Sequence, residues 1–423
     1  MKYQEVNKLS IMEKYKIGLI PGPVSIPENV RRVWLNDFAS SDLEEEFFAL
    51  YHENQILIQK LLRTKNDVVI TSGEAMSILW ASLKCTLKPG EKILAVSSGL
   101  FGSGFADMAR TFGAYAETCE FPYDEVPEPE KVYEHAKKFR PKVITAVHCE
   151  TPSGTLTPCL AEIGKIAREV EALFVVDFVS SAGGCELDVD ACKIDIGLLG
   201  SQKVLSLTPS LSISTISPRA WQIINDVNYS GYEAFADWRE VPEKKFMPYT
   251  HDWHSMKALN ISLENIMNEG IARHSEAVKL CQDWECENEL DFFPHKGAIA
   301  RHSEAVKLCQ DLEHENELDC FPHEAIIARH SEAAKLCRDL GREIGLELFP
   351  KREDYCSPTV TAFYVPKKFT WQEFNERLRA RGLAVGGNYG SLAGKVFRIG
   401  HMGSQADNDL VKRGMKIIRE VLA

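Results

Sequence analysis

The N-terminal two-thirds of the chain alternates short apolar, β-branched runs with longer amphipathic stretches. The apolar runs predict strands at 68–71, 92–98, 115–121, 143–149, 173–181, 194–201 and 211–217. Helical patterns lie between several of them, as at 75–87 and 158–172, where Thr157 is the expected cap and Pro158 the first helical residue. Apolar strands separated by helices are typical of a mainly parallel sheet covered on both faces. Ligands bind such sheets at the carboxyl ends of the strands.

The pattern changes from about residue 255 to long helices, which are followed by a short α/β segment. This segment predicts a strand at 359–366, a helix at 370–382, a strand at 395–403 and a closing helix at 407–422. We therefore expect a large α/β domain over 15–260 and a smaller α+β domain over 261–423, with residues 1–14 as an N-terminal arm.

An internal repeat interrupts the second region. IARHSEAVKLCQD begins at Ile271 and again at Ile299, and IARHSEAAKLCRD begins at Ile327, so the units 271–298, 299–326 and 327–354 start 28 residues apart. The favoured interpretation is a near-neutral insertion of two extra helix-plus-turn copies, with a dimerisation or partner-binding surface as an alternative. The equivalent histidines, His274, His302 and His330, are interpreted as ordinary surface residues, although a metal array is the competing hypothesis.

Composition and charge exclude several classes of protein. The 423 residues are 44% hydrophobic and 26% charged, a globular balance. With 49 Lys and Arg against 61 Asp and Glu, and without a basic block, the chain is a poor candidate for binding nucleic acid or anionic lipid. No apolar run predicts a membrane span, and no secretory signal or transit peptide is recognisable. The 12 cysteines are scattered without a CxxC pair, which is typical of reduced thiols, so we expect a cytoplasmic protein.

One acid and one lysine form the strongest candidate for chemistry. Asp177 stands at the carboxyl end of the strand LFVVD, and Lys203 follows the strand that ends near Gly200. A lysine desolvated beside a buried sheet has a lowered pKa and can form a Schiff base. An aspartate on a neighbouring strand can keep a pyridinium nitrogen protonated, so that the ring acts as an electron sink.

Other strand-to-loop junctions add compatible groups. ITSGEAMSIL (70–79) combines a strand, a glycine turn and a helix start, where backbone N–H groups suit a phosphate. The next loops offer Phe101 as a stacking platform and Thr151 and Ser153 as hydroxyl donors. Arg398, expected at the end of the small-domain strand, can form a fork with a carboxylate.

Together these motifs resemble the class V aminotransferases of the fold-type I pyridoxal-phosphate (PLP) enzymes, in particular the alanine–glyoxylate and serine–pyruvate group. The resemblance runs from IPGPVSIPENV (20–30) to Ala423, with only the repeat outside it. It implies an α/β large domain with a mainly parallel sheet and a smaller α+β C-terminal domain. It also implies a homodimer whose active site is shared between subunits, PLP as the cofactor, and no metal.

The resemblance also implies a role for each matching residue. Lys203 would bind the cofactor covalently and move the substrate proton, while Asp177 would pair with the pyridine nitrogen. Phe101 and Val179 would contact the two ring faces, and Thr151 would bond the ring hydroxyl. The phosphate would be held by Gly73, Glu74, Ala75, Met76 and Gln202, and by Thr250 of the other subunit. Arg398, helped by the turn at Gly22, would bind the substrate carboxylate. The implied reaction moves an amino group from alanine or serine to glyoxylate or pyruvate with ping-pong kinetics.

Glu74 leaves a second activity open. Many relatives carry a small hydroxyl residue there, and a carboxylate beside a phosphate dianion is repulsive. Pyridoxamine–pyruvate transaminase, which uses an unphosphorylated vitamer as substrate, has a glutamate at the matching place. That enzyme also has a second arginine where this chain has Tyr389, so the ordinary aminotransferase is the favoured interpretation.

Three further hypotheses are weaker. GLFGSG (99–104) does not match the dinucleotide-binding pattern. Cysteine desulfurase chemistry needs an activated cysteine on a small-domain loop, and Cys356 is the only nearby candidate. A catalytically silent partner-binding paralogue is disfavoured because Asp177, Lys203 and Arg398 are all intact.

Overall fold

The computed structural model describes residues 15–269 and 323–423. Their strands are β1 (Ile17–Leu19), β2 (Asp67–Ser72), β3 (Lys92–Ser97), β4 (Tyr115–Glu120), β5 (Val143–Val147), β6 (Cys149–Glu150), β7 (Thr155–Leu156), β8 (Leu173–Asp177), β9 (Ile196–Gly200), β10 (Leu211–Ile216), β11 (Val360–Tyr364), β12 (Leu383–Val385) and β13 (Val396–Gly400). Their helices are α1 (Glu28–Arg31), α2 (Glu45–Leu62), α3 (Ala75–Lys84), α4 (Leu100–Thr111), α5 (Pro129–Phe139), α6 (Leu160–Glu169), α7 (Pro218–Val227), α8 (Val241–Lys244), α9 (253–269), α10 (His323–Glu343), α11 (Trp371–Ala380) and α12 (Asn408–Leu422).

A seven-stranded sheet forms the centre of the larger part, in the order β2-β10-β9-β8-β5-β3-β4. Strand β10 runs antiparallel to both of its neighbours, and the other pairs are parallel. Every residue of β5, β8 and β9 is buried, as the uninterrupted apolar runs predict for strands covered on both faces. The predicted mainly parallel sheet is confirmed.

Several predicted boundaries shift by a few residues. The run 173–181 is a strand only as far as Asp177. The Phe178 N–H still donates to the Leu198 carbonyl of β9, and residues 179–181 form a turn. The expected cap of the helix at 158–172 is wrong. The Thr157 hydroxyl donates to the Val147 carbonyl at 2.8 Å, which fixes the loop to β5, and the helix begins only at Leu160.

Two main hydrophobic cores flank the site. The larger surrounds the seven-stranded sheet and includes Ile266 of α9, whereas the smaller lies around α11, α12 and β13. Strand β1 belongs to the smaller core, where it pairs in parallel with β12 across more than 360 residues of sequence. The N-terminal strand therefore ties the start of the chain to the C-terminal region. The proposed domain boundary at 260/261 stays a prediction.

The third repeat copy is an integral part of the fold. His330 of α10 is fully buried: its Nε2 accepts a hydrogen bond from the Gly403 N–H at 2.9 Å, and its Nδ1 lies 2.7 Å from the Ile326 carbonyl. Arg329 beside it donates to the carbonyls of Gly403 and Ala406. The interpretation of His330 as an ordinary surface residue is therefore wrong. His274, His302 and most of the proposed excursion (271–326) fall in 270–322, outside the described residues, whereas residues 323–326 belong to α10.

Within the described ranges, no helix is long and apolar enough to cross a membrane. In the same part of the chain, no group of three or more His, Cys, Asp or Glu side chains is placed to hold a metal ion.

Candidate active site

The carboxyl ends of β2, β3, β5, β8 and β9 meet at one edge of the sheet, around a cavity of about 340 Å³. Each strand contributes a lining side chain from its last residue or from the segment that follows it, in turn Glu74, Phe101, Thr151, Asp177 and Lys203. The structure thus brings together the residues that were predicted from separate strand ends.

Lys203 lies at the floor of this cavity in a desolvated position. Its Nζ donates a hydrogen bond of 2.6 Å to the Pro21 carbonyl. Burial, together with a smaller effect of the nearby Arg398 cation, lowers the pKa of the Lys203 amine to about 8. Gly22 approaches so closely that a Cβ there would lie 2.5 Å from Lys203 Cδ, and its φ of +92° also favours glycine. The Pro-Gly-Pro turn therefore positions the lysine amine.

Asp177 ends β8 with its carboxylate at the cavity wall. Oδ1 accepts a 2.8 Å hydrogen bond from the Val179 N–H. Burial raises the pKa of Asp177 to about 6, although the Val179 N–H and the Lys203 cation oppose this shift. A buried carboxylate near its own pKa gains stability from a cationic partner such as a protonated ring nitrogen.

The cavity walls offer contacts for a flat ring. Phe101 at the start of α4 and Val179 after β8 both line the cavity, and the Thr151 and Ser180 hydroxyls are hydrogen bonded to each other on its wall. Ser180 was not predicted, since a serine in a turn carries no distinctive sequence signal.

The N-terminus of α3 carries its own carboxylate. Gly73, with a φ of +139°, turns the chain from β2 into the helix. Glu74 is the cap: Oε2 accepts from the Met76 N–H at 2.9 Å, and Oε1 accepts from Gln202 Nε2 at 2.7 Å. These are donors that the resemblance assigns to a phosphate. The Glu74 side chain occupies the predicted phosphate position.

Glu150 accepts hydrogen bonds at the N-terminus of the neighbouring helix, as Glu74 does at α3, and the sequence analysis did not predict this contact. Its carboxylate accepts from the N–H groups of Phe101 at 3.2 Å and Gly102 at 2.6 Å, at the start of α4. Full burial raises the pKa of Glu150 to about 7. The contact also explains why GLFGSG cannot hold a dinucleotide phosphate, since Glu150 fills that helix N-terminus.

A second cavity of about 290 Å³ adjoins the first and shares Gly22, Phe101, Thr151 and Lys203 with it. Arg398 reaches it from the middle of β13 and not from the strand end, as had been expected. Its guanidinium is buried, donates to the Gly387 carbonyl through Nε at 2.8 Å, and lies 5.1 Å from the centre of the Tyr389 ring. Arg398 can therefore meet a carboxylate within reach of Lys203.

Arg379 of α11 also lines this second cavity, although sequence reasoning expected a single arginine there. It was missed because a charged residue on an amphipathic helix is most often a solvated one. Its position depends on how α11 packs beside β12, which no local pattern reveals.

Other predicted residues lie apart from the two cavities. Thr250 is exposed and does not line either cavity of its own chain, and its expected contact across a dimer stays a prediction. Ser153 is buried and bonded to Thr155. Cys356 lines neither cavity, and burial raises the pKa of its thiol to about 11, so nothing activates it as a nucleophile.

The remaining lining residues of the first cavity are apolar or weakly polar and were not singled out: Pro23, Leu79, Cys149 and Pro209. Such residues shape a wall without chemistry that a sequence would reveal.

Comparisons with known proteins agree with this geometry. Residues 29–233 match the family described as Aminotransferase class-V. The chain is 32% identical over 275 residues to an uncharacterized aminotransferase of Methanocaldococcus jannaschii, covering 62% of this chain and 70% of the relative. It is 28% identical over 400 residues to the pyridoxamine–pyruvate transaminase of Mesorhizobium japonicum, covering 92% and 87%.

The fold agrees as well. The crystal structure of an alanine–glyoxylate aminotransferase from Nostoc sp. superposes with a TM-score of 0.81 at 24% identity, covering all of both chains. The predicted fold-type I architecture is confirmed. The relatives match most of the chain, and the residues around the sheet-edge cavity agree with the same family. We conclude that the chain belongs to the class V aminotransferases.

Proposed function

We propose that this protein is a PLP-dependent aminotransferase that moves an amino group from a small L-amino acid, such as alanine or serine, to glyoxylate or pyruvate. The observation that carries the proposal is the junction of two cavities at Lys203. One cavity holds Asp177 and the ring-contacting residues, and the other holds Arg398. In a catalytically silent paralogue, selection would not maintain Asp177, Lys203 and Arg398 around two adjoining cavities.

The first cavity fits the pyridine half of the cofactor. Asp177 is a buried acid suited to the ring nitrogen, Phe101 and Val179 suit the ring faces, and the Thr151 hydroxyl suits the ring oxygen. The phosphate half fits once Glu74, an exposed side chain, turns outward and releases the Met76 N–H and the Gln202 amide. When bound, the cofactor supplies an electron sink for the substrate Cα.

The residues of this chain supply binding and proton transfer. Arg398 holds the substrate carboxylate and so directs the Cα–H bond towards the shared wall of the cavities. Lys203 Nζ, with a pKa lowered to about 8, can take up a proton at this wall near neutral pH and return it. The Pro21 carbonyl orients the amine, and the buried walls exclude water.

A second candidate, pyridoxamine–pyruvate transamination, is favoured by the position of Glu74. Its carboxylate already accepts hydrogen bonds from the groups that a phosphate would need, so an unphosphorylated vitamer would enter without displacing it. The similarity to the Mesorhizobium enzyme extends over 92% of this chain. Tyr389, where that enzyme has a second arginine, supports the first candidate.

Vitamer binding separates the two candidates. The visible absorption spectrum of the purified protein is recorded with PLP or pyridoxal, before and after L-alanine. The first candidate predicts tight PLP binding and a visible band that L-alanine bleaches. The second predicts a preference for pyridoxal, which Glu74→Ser reverses by at least about tenfold because it removes the competing carboxylate. Glu53→Ser, on the outer surface of α2, is the matched control.

The proposal includes a homodimer with a shared site. The segment around Thr250 exposes several large aromatic side chains, including Tyr232, Phe246 and Tyr249, and the Tyr232 and Tyr249 rings lie 4.5 Å apart. Exposed apolar clusters of this kind are typical of subunit contacts.

A further inference from the structure

The second cavity carries more positive charge than one substrate carboxylate would neutralise. Of its twelve lining residues, Lys203, Arg379 and Arg398 are cationic and none is acidic. The Lys203 amine can lose its charge near neutral pH, but the two guanidinium groups cannot. Two fixed charges therefore face one cavity at every physiological pH.

Arg379 is held in place by neutral groups. Its Nε donates to Asn375 Oδ1 at 2.8 Å, its Nη1 donates to the Tyr15 hydroxyl, and its guanidinium lies 4.9 Å from the centre of the Tyr15 ring. No carboxylate forms an ion pair with Arg379 among residues 15–269 and 323–423. These contacts fix the orientation of the guanidinium and leave Nη2 without a hydrogen-bond partner in the same part of the chain.

Arg398 lies deeper, where it contacts the carbonyl groups of Gly387 and Thr151 and the Tyr389 side chain, and within 15–269 and 323–423 it forms no ion pair with a carboxylate. A substrate with one carboxylate would neutralise one guanidinium and leave the other, partly buried at the cavity wall, without an anionic partner. A substrate with two carboxylates would neutralise both. The volume of about 290 Å³ is roughly ten times the share of one water molecule, so a four-carbon dicarboxylate can be accommodated.

We propose that Arg379 is a second anion-binding residue of the substrate cavity, and that the site therefore accepts amino and keto acids with a second carboxylate, of the aspartate–oxaloacetate type. This rests on the proposed aminotransferase function and extends its substrate range beyond alanine and serine. Arg398 binds the α-carboxylate near Lys203, and Arg379 binds the side-chain carboxylate.

The test uses unreactive probes, so that it does not depend on turnover. Succinate and butyrate have the same number of carbons but differ by one carboxylate, and their binding to the cofactor-loaded enzyme can be measured by calorimetry. We expect succinate to bind at least about tenfold more tightly than butyrate, since a charged hydrogen bond is formed. Arg379→Gln should remove this preference without changing butyrate binding, and Arg379→Lys should keep part of it.

Tyr15→Phe is the control for a structural role, since it removes a hydrogen bond of Arg379 and keeps the cation. It should retain the preference for succinate. Steady-state rates add a second readout, because Arg379→Gln should lower kcat/KM for L-aspartate about 10- to 100-fold more than it lowers kcat/KM for L-alanine.

Equal binding of succinate and butyrate by the wild-type enzyme, or an equal loss of both in Arg379→Gln, would overturn the proposal. Failure of the proposed function looks different: succinate selectivity would persist while no amino acid is transaminated.

Discussion

Burial sets the pKa values of both Asp177 and Lys203. Asp177 ends one fully buried strand and Lys203 follows another, and the removal of water moves their pKa values towards each other, to about 6 and about 8. Between these values the acid is ionised and the amine is protonated. The amine therefore becomes a free base just above neutral pH, far below the ordinary value of 10.5 for lysine.

Replacing Asp177 by Asn tests the role of its charge. The neutral amide cannot keep a ring nitrogen protonated, so we expect kcat to fall by roughly 10²–10³-fold, as for other losses of one preorganised electrostatic group. Asp107→Asn, an exposed position on α4, is the matched control and should leave kcat unchanged. Steady-state kinetics above pH 7, where Asp177 is ionised, measure the effect. An active Asp177→Asn enzyme would contradict the assigned role.

At the scale of elements, two helices begin at the cavity and both are capped by acids. Glu74 accepts hydrogen bonds at the start of α3 and Glu150 at the start of α4, so a carboxylate fixes the N-terminus of each helix. The Glu74 loop could be predicted because strand, glycine turn and helix follow one another in sequence. The Glu150 contact could not, because it requires knowing that β3 and β5 are neighbours in the sheet.

Glu150 predicts a pH dependence of stability. Its pKa is raised from 4.5 to about 7 in the folded protein, so the folded state holds this proton more tightly than the unfolded state. The contribution of this proton to the free energy of unfolding is fully present below pH 4.5 and is lost as the pH rises through 7. For this shift in pKa the contribution is about 3 kcal/mol. Urea unfolding of the wild type between pH 5 and 8 should show this decline.

Glu150→Gln should flatten that decline, because the amide does not ionise, whereas Glu130→Gln on the exposed face of α5 should leave it unchanged. An identical pH profile for the wild type and Glu150→Gln would show that Glu150 does not carry the effect.

At the scale of the whole molecule, the repeat can be understood from one ion pair. Arg329 of the third copy contacts Glu269 at the end of α9, with Nε and Oε1 2.7 Å apart. Removing residues 271–326 would place Arg329 four positions after Glu269, the spacing at which side chains of one helix meet. The third copy thus already occupies the place that a chain without the extra copies would need.

Deletion of 271–326 should therefore give a folded and active enzyme. We expect an unfolding midpoint within a few degrees of the wild type, since the contacts of Arg329 and His330 are retained. Arg329→Gln in the shortened chain is the control and should lower the midpoint, because it breaks the contacts with Glu269, Gly403 and Ala406. A shortened chain that fails to fold, or that folds without activity, would show that the two extra copies are required.

The sequence revealed the parts of the molecule that are local, and long-range packing decided the rest. Each large-sheet strand and each loop at its carboxyl end could be predicted, because an apolar run and the residues after it are contiguous. Four features could not be predicted, since each depends on segments distant in sequence: the antiparallel direction of β10, the β1–β12 pair, the burial of His330 and the placement of Arg379.

The most direct test of the account is the covalent attachment of the vitamer to Lys203. The protein, stripped of any vitamer, is mixed with PLP or pyridoxal over a pH series, reduced with borohydride and digested, and mass spectrometry locates the label. We predict labelling of the peptide that contains Lys203, increasing with a midpoint near pH 8, and none in Lys203→Arg. Labelling spread over surface lysines, or a midpoint near pH 10.5, would contradict the account.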